Sequence, residues 1–112
     1  MDALIQKLRA FAQERDWDQF HSPKNLAMAL SIEAAELMEI FQWLTQPQSR
    51  ALDPDKLAKL KDEIGDVQIY LTMLADKFGL DPIQAAHAKV EKNRVNYPVS
   101  KAKGNALKYK EH

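Results

Sequence analysis

The chain has 112 residues, and 16 Lys+Arg balance 16 Asp+Glu to a formal net charge of zero. That length suits one compact domain, and the even balance points to neither a nucleic-acid polymer nor a membrane surface as partner. Hydrophobic residues make up 46%, enough for a core, and the absence of cysteine excludes disulfides, thiolate zinc sites and a thiol nucleophile.

The opening stretch, MDALIQKLRAFAQERD, places Leu4, Leu8 and Phe11 at helical spacing and predicts a first helix over about Asp2 to Arg15. Charges run through it, so it does not read as a signal peptide, and no window approaches the roughly 20 apolar residues of a bilayer span. The expectation is a cytoplasmic protein. DWDQFHS, residues 16–22, is aromatic and irregular. Ser22 followed by Pro23 is a helix start. The stripe Leu26, Leu30, Leu37, Ile40 and Leu44 predicts a second helix from Pro23 to Leu44, with a loop over residues 46–53.

Asp53-Pro54 opens a third helix. Leu57, Leu60, Ile64, Val67, Leu71, Leu74 and Phe78 alternate steps of three and four over three heptads, and Gly79 closes it. Asp81-Pro82 repeats the start, and a fourth helix runs to about Val95 with Ile83, Ala86, Val90 and Val95 turned inward. Pro98 stops it. No segment shows strand alternation. The chain therefore reads as a single all-α domain, a four-helix bundle with a core over about residues 2–97 and a basic tail over about 98–112. The long apolar stripes favour an oligomer.

Two acidic pairs break the apolar pattern. Glu33 sits on the stripe of the second helix, three residues after Leu30 and four before Leu37, and Glu36 follows one turn on. Glu63 and Asp66 are also three apart and project from one side of the third helix. Between them is Gly65, which is disfavoured in a helix interior by about 1 kcal/mol relative to Ala and would admit a close neighbour. Ala34 and Ala35 play the matching part on the second helix. One ExxE on a helix is usually a solvated face. Two such pairs brought together by antiparallel packing would repel unless a cation sat among them. The ligands are all oxygen, and His21, His87 and His112 are not at ligand spacing from them. Hard Mg²⁺ fits best, with Mn²⁺ as substitute. The Glu-x-x-His pairs of iron-carboxylate bundles are missing.

The chain resembles the MazG-like all-α nucleoside triphosphate pyrophosphohydrolases, and its blocks look most like the dCTP pyrophosphatase branch. The family pattern is ExxE, a spacer and ExxD. Here it reads Glu33-Ala-Ala-Glu36, 26 intervening residues, and Glu63-Ile-Gly-Asp66. RDWDQFHSPKNLAMAL, EAAELMEIFQW, DEIGDVQIYL and KVEKNRVNYP extend the likeness over most of residues 14–98. One departure is Ile32, where many relatives carry a further glutamate. The resemblance implies hydrolysis of a deoxynucleoside triphosphate, dCTP favoured, to monophosphate and pyrophosphate for pool control or sanitation. It implies Mg²⁺ on Glu33, Glu36, Glu63 and Asp66, and a homodimer or homotetramer. Glu36 or Glu39 is the expected proton acceptor. Two other readings stay open: a non-enzymatic helical interaction module, and a hydrolase of the same fold acting on another pyrophosphate such as phosphoribosyl-ATP.

Lys89, Asn93 and Tyr97 are spaced by four on the fourth helix, a strip suited to phosphate and sugar contacts. By spacing alone an ordinary basic helix end explains them better; the KNRVNYP likeness reverses that order. Trp43 is seven residues after Glu36, about 10 Å along a continuous helix. Trp17 lies in the irregular segment. Either is as well suited to stacking a base as to packing. His21 and Asn25 are candidates for reading base edges, with a helix-entry hydrogen bond as the other role of His21.

Overall fold

The computed structural model describes residues 2–104. Most of the basic tail, including His112, lies outside the described residues. Helix α1, Asp2–Glu14, ends where Asp16 adopts a left-handed φ of 53°. There the Trp17 N–H donates to the Ala12 carbonyl at 2.9 Å and the Asp16 N–H to Gln13 at 3.1 Å, which satisfies the last carbonyls of the helix. A short 3₁₀ turn, Asp18–Phe20, leads to α2, Pro23–Glu39. Ser22 caps α2 by accepting the Asn25 N–H at 3.1 Å, and Pro23 occupies the first turn.

Helix α2 stops at Glu39 and does not reach Leu44. The chain turns through three-residue bonds, Phe41 N–H to Met38 and Leu44 N–H to Phe41, both 2.9 Å. A new helix, α3 (Gln46–Ser49), then starts inside the segment expected to be loop. Thr45 accepts the Gln48 N–H at 3.2 Å while the Gln48 side chain accepts the Thr45 N–H at 3.0 Å. This capping box needs Thr45 extended, at φ −72° and ψ 166°, so the preceding helix cannot run through it. The apolar spacing through Leu44 marked a face, not a continuous hydrogen-bond ladder.

Helix α4, Pro54–Asp76, is the longest, at 23 residues. Asp53 caps it by accepting the Lys56 N–H at 2.8 Å. Gly79, at φ 67°, ends it: the Leu80 N–H reaches the Ala75 carbonyl at 3.0 Å. Helix α5, Pro82–Asn96, is capped by Asp81, whose Oδ1 accepts the N–H groups of Ile83 and Gln84 at 2.8 and 3.1 Å. Tyr97 and Pro98 close it, and the start of the tail forms a short α6, Val99–Ala102.

The fold is all-α. Helix α2 lies along α4 in the opposite sense, since late α2 residues (Glu36, Glu39) and early α4 residues (Lys56, Glu63) line one groove. Helix α1 docks on the later part of α4, where the Arg9 guanidinium grips the Asp76 carboxylate at 2.9 and 2.5 Å. That contact holds the Asp76 carboxyl below its ordinary range. Ala12, Leu26 and Thr72 are buried, the last accepting the Gln68 amide N–H at 2.8 Å.

The core of one chain is thin. In the α4 stripe Leu60, Val67 and Leu74 are half-buried, while Leu57, Ile64, Leu71 and Phe78 are exposed. On α5, Ile83, Ala86, Val90 and Val95 are exposed, against the expectation that they turn inward. The cause is placement: α5 touches α4 only near the turn that joins them, which leaves its apolar side largely uncovered among the described residues. Gly65, Ala34 and Ala35 are likewise exposed, and a Cβ built on Gly65 would meet no atom within 4 Å. No close neighbour among the described residues accounts for that glycine. Among the described residues no helix is long and apolar enough to cross a membrane.

Candidate functional site

Antiparallel packing brings the middle of α2 against the middle of α4. Carboxylate oxygens of Glu33, Glu36 and Glu63 all come within 4.8 Å of one another. Glu33 and Glu63 are half-buried, and Glu36 is exposed. One oxygen of each inner acid, Glu33 Oε2 and Glu63 Oε2, is shut off from solvent and has no hydrogen-bond partner. An unpaired buried carboxylate oxygen is costly, and two on neighbouring acids more so. The protein responds through protonation. The Glu63 carboxylate beside it, then burial, then Glu36 and the charge of Asp66 push the Glu33 carboxyl up to about 7. Asp66 thus acts on the cluster by its charge, although it is not one of the three that meet.

Such a donor set fits a hard divalent cation. It offers carboxylate oxygens only, and Glu33 and Glu63 each have a buried oxygen without a hydrogen-bond partner among the described residues. Separation matters too: two oxygens each about 2.1 Å from one Mg²⁺ stand at most about 4.2 Å apart, so three within 4.8 Å of one another need only a small side-chain adjustment to share an ion.

The cluster opens into a groove of about 600 Å³ between the end of α2 and the first half of α4. Glu36, Glu39, Ile40 and Gln42 line one side, and Lys56, Lys59, Asp62 and Glu63 the other. The sequence reading passed over Gln42 and both lysines. The signal was available: Lys56 and Lys59 precede Glu63 by seven and four residues and so share its face.

Other candidates stand elsewhere. Trp43 falls in the turn after α2 and is 86% exposed, so its offset from Glu36 is not that of a continuous helix. Trp17 meets the Phe11 ring edge-on at 5.6 Å and lies 6.4 Å from His21. Arg15 covers the other ring, its guanidinium 3.6 Å from the Phe11 centroid. His21 lines a small cavity between α1 and α4 with Arg9, Thr72 and Asp76, and its Nδ1 is buried without a partner. The Asn25 amide donates to the Phe20 carbonyl at 3.1 Å, fixing the entry to α2. Lys89 and Asn93 are exposed on α5, Tyr97 is half-buried just beyond it, and none of the three lines the acidic groove.

The MazG-like family model matches residues 28–111, a span holding all four acids. The chain belongs to the MazG-like family. Within it, this MazG-like chain is 47% identical over 108 residues to dCTP pyrophosphatase 1 of Mus musculus, covering 94% of this chain and 64% of that one. It is 44% identical over 110 residues to dCTP pyrophosphatase 1 of Homo sapiens, covering 96% and 65%. The chain therefore spans under two thirds of the length of these relatives. A crystal structure of a pyrophosphatase from Archaeoglobus fulgidus superposes with a TM-score of 0.82 at 42% identity, over 88% of this chain and 92% of that one.

Proposed function

We propose that this chain is a Mg²⁺-dependent nucleoside triphosphate pyrophosphohydrolase that cleaves dCTP to dCMP and pyrophosphate. The observation that carries the reading is the convergence of Glu33, Glu36 and Glu63 with two buried, partnerless carboxylate oxygens. The dCTP pyrophosphatases among its relatives and the pyrophosphatase of the same fold support the reaction class.

Glu33, Glu36 and Glu63, with Asp66, would hold the ion. A bound Mg²⁺ supplies charge neutralisation at the phosphate oxygens and makes a water more acidic. Glu36 or Glu39, on the open side of the groove, takes the proton from the attacking water. Trp17 and Trp43 offer ring faces to the base, His21 and Asn25 its edge contacts, and Lys89, Asn93 and Tyr97 the sugar and phosphate contacts. These residues do not gather round the acids within one chain, so the account includes a second copy. The uncovered row Leu57, Ile64, Leu71 and Phe78, repeating every seven residues on α4, is the surface suited to it. We read the assembly as a homodimer or homotetramer working in the cytoplasm, with residues 1–112 as one domain.

The test is product identity across a panel. Each canonical dNTP and phosphoribosyl-ATP is incubated with Mg²⁺ and the phosphorus products are resolved. The proposal expects dCTP to be used best and to yield dCMP and pyrophosphate. Release of orthophosphate alone, or no turnover of any dNTP, contradicts it.

A further inference from the structure

The groove beside the acids carries charge of both signs. On α4 the residues Lys56, Lys59, Glu63 and Asp66 follow at steps of three, four and three, so one face of the helix runs from two cations to two acids. Lys56 is already engaged: its Nζ is 3.1 Å from Asp53 Oδ2, at the start of the helix. Lys59 is different. It is exposed and has no hydrogen-bond or ion-pair partner among the described residues, although Asp62 and Glu63 stand one turn away in the same groove. The acids turn toward one another instead. The helix rise puts Lys59 about 6 Å from Glu63 along the axis, and Lys56 about 10 Å.

We propose that Lys59, with Lys56 behind it, binds the leaving pyrophosphate, so that the nucleotide lies in the groove with its α phosphate at the acids and its β and γ phosphates toward the start of α4. This assignment rests on the reading of the acids as a triphosphate site and gives that substrate a direction. Water adds its oxygen to the α phosphorus as the bond from that phosphorus to the bridging oxygen breaks. The bridging oxygen keeps the electron pair and departs with the β and γ phosphates, and the proton of the water passes to a groove carboxylate. Negative charge grows on the departing group during this step. The ammonium of Lys59 meets it there, where a neutral side chain gives nothing.

The experiment compares the intact chain with Lys59→Gln and Lys59→Arg in dCTP hydrolysis with Mg²⁺, and in inhibition by inorganic pyrophosphate and by dCMP. Lys59→Gln is expected to weaken pyrophosphate inhibition and lower kcat/KM for dCTP by about tenfold each, the usual effect of losing one charged hydrogen bond. Inhibition by dCMP, which lacks the β and γ phosphates, stays unchanged, and Lys59→Arg restores most of the loss. Lys7→Gln, at an exposed residue of α1, changes none of these readouts. Unaltered pyrophosphate inhibition in Lys59→Gln, or an equal loss of dCMP inhibition, overturns the proposal. Should the intact chain hydrolyse no triphosphate, the underlying reading fails separately. Calorimetric titration of magnesium pyrophosphate then decides the role of the lysine: a tenfold weaker affinity in Lys59→Gln supports it, and equal affinities overturn it.

Discussion

At the scale of single residues, Glu33 shows how a charge on an apolar stripe becomes a site. Its neighbours are other carboxylates, and its own carboxyl is pushed up to about 7 by Glu63, burial, Glu36 and Asp66. The sign of the consequence follows. Without metal, the folded chain holds more protons than the unfolded one between about pH 4.5 and about 7. Stability is therefore present at low pH and falls as pH rises through that window. Thermal unfolding in EDTA is expected to show this decline, and Glu33→Gln to flatten it. Binding a cation displaces the proton, so Mg²⁺ affinity rises with pH up to about 7 and then levels. A metal-free melting temperature that rises steadily from pH 5 to pH 7 contradicts this account of Glu33. Gly65 gives a second residue-scale test. Nothing in the chain meets a Cβ there, so in an isolated protomer Gly65→Ala gains helix propensity and stabilises by about 1 kcal/mol. A loss of stability that appears only at high protein concentration would instead show a second copy approaching that glycine.

At the scale of elements, the helix starts were the most legible feature. Ser22-Pro23, Asp53-Pro54 and Asp81-Pro82 each pair a capping oxygen with a proline that suits the first turn, and each begins a helix. Ser22→Ala is expected to cost about 1 kcal/mol in denaturant unfolding, because the Asn25 N–H loses its acceptor. Gly79 was equally readable, since its left-handed φ is strained for any other side chain. The end of α2 was not legible. No glycine or proline lies between Glu39 and Thr45, and the apolar steps run on to Leu44. The ladder ends in a switch to three-residue bonds, from Ile40 to Leu37, Phe41 to Met38 and Leu44 to Phe41, which periodicity does not report. The same error displaced Trp43, whose distance from Glu36 was counted along a helix that does not exist there. Of the acidic site, Glu33, Glu36 and Glu63 were legible from spacing. Spacing puts Lys56 and Lys59 on the face of Glu63 as well, but it does not mark them as functional, because a lysine on a helix looks the same with or without an anion to bind.

At the scale of the whole molecule, one chain leaves much apolar surface uncovered. Leu57 is 56% and Ile64 53% exposed on one row of α4, and Phe78, in the turn just beyond it, is 63% exposed. Burial of apolar area contributes about 25 cal/mol per Å², and a single chain of this shape forgoes much of it. Stability should therefore depend on protein concentration, as it does when folding and assembly are linked. Sedimentation analysis is expected to show a dimer or tetramer, and Ile64→Lys to shift it toward monomer with a lower Tm. A monomeric chain whose Tm does not change with dilution contradicts the oligomer. The placement of Asn93 and Tyr97 away from the groove belongs to this scale as well, because sequence spacing within one helix carries no information about which copy of the chain it will face.

The central claim is that Glu33, Glu36, Glu63 and Asp66 form one divalent-cation site, and electron paramagnetic resonance of Mn²⁺ tests it most directly. Titrated into the metal-free protein, Mn²⁺ should bind saturably and be displaced by Mg²⁺, and Glu63→Gln should abolish that binding while the helical signal persists. Binding of equal stoichiometry and affinity in Glu63→Gln would place the ion elsewhere and contradict the account.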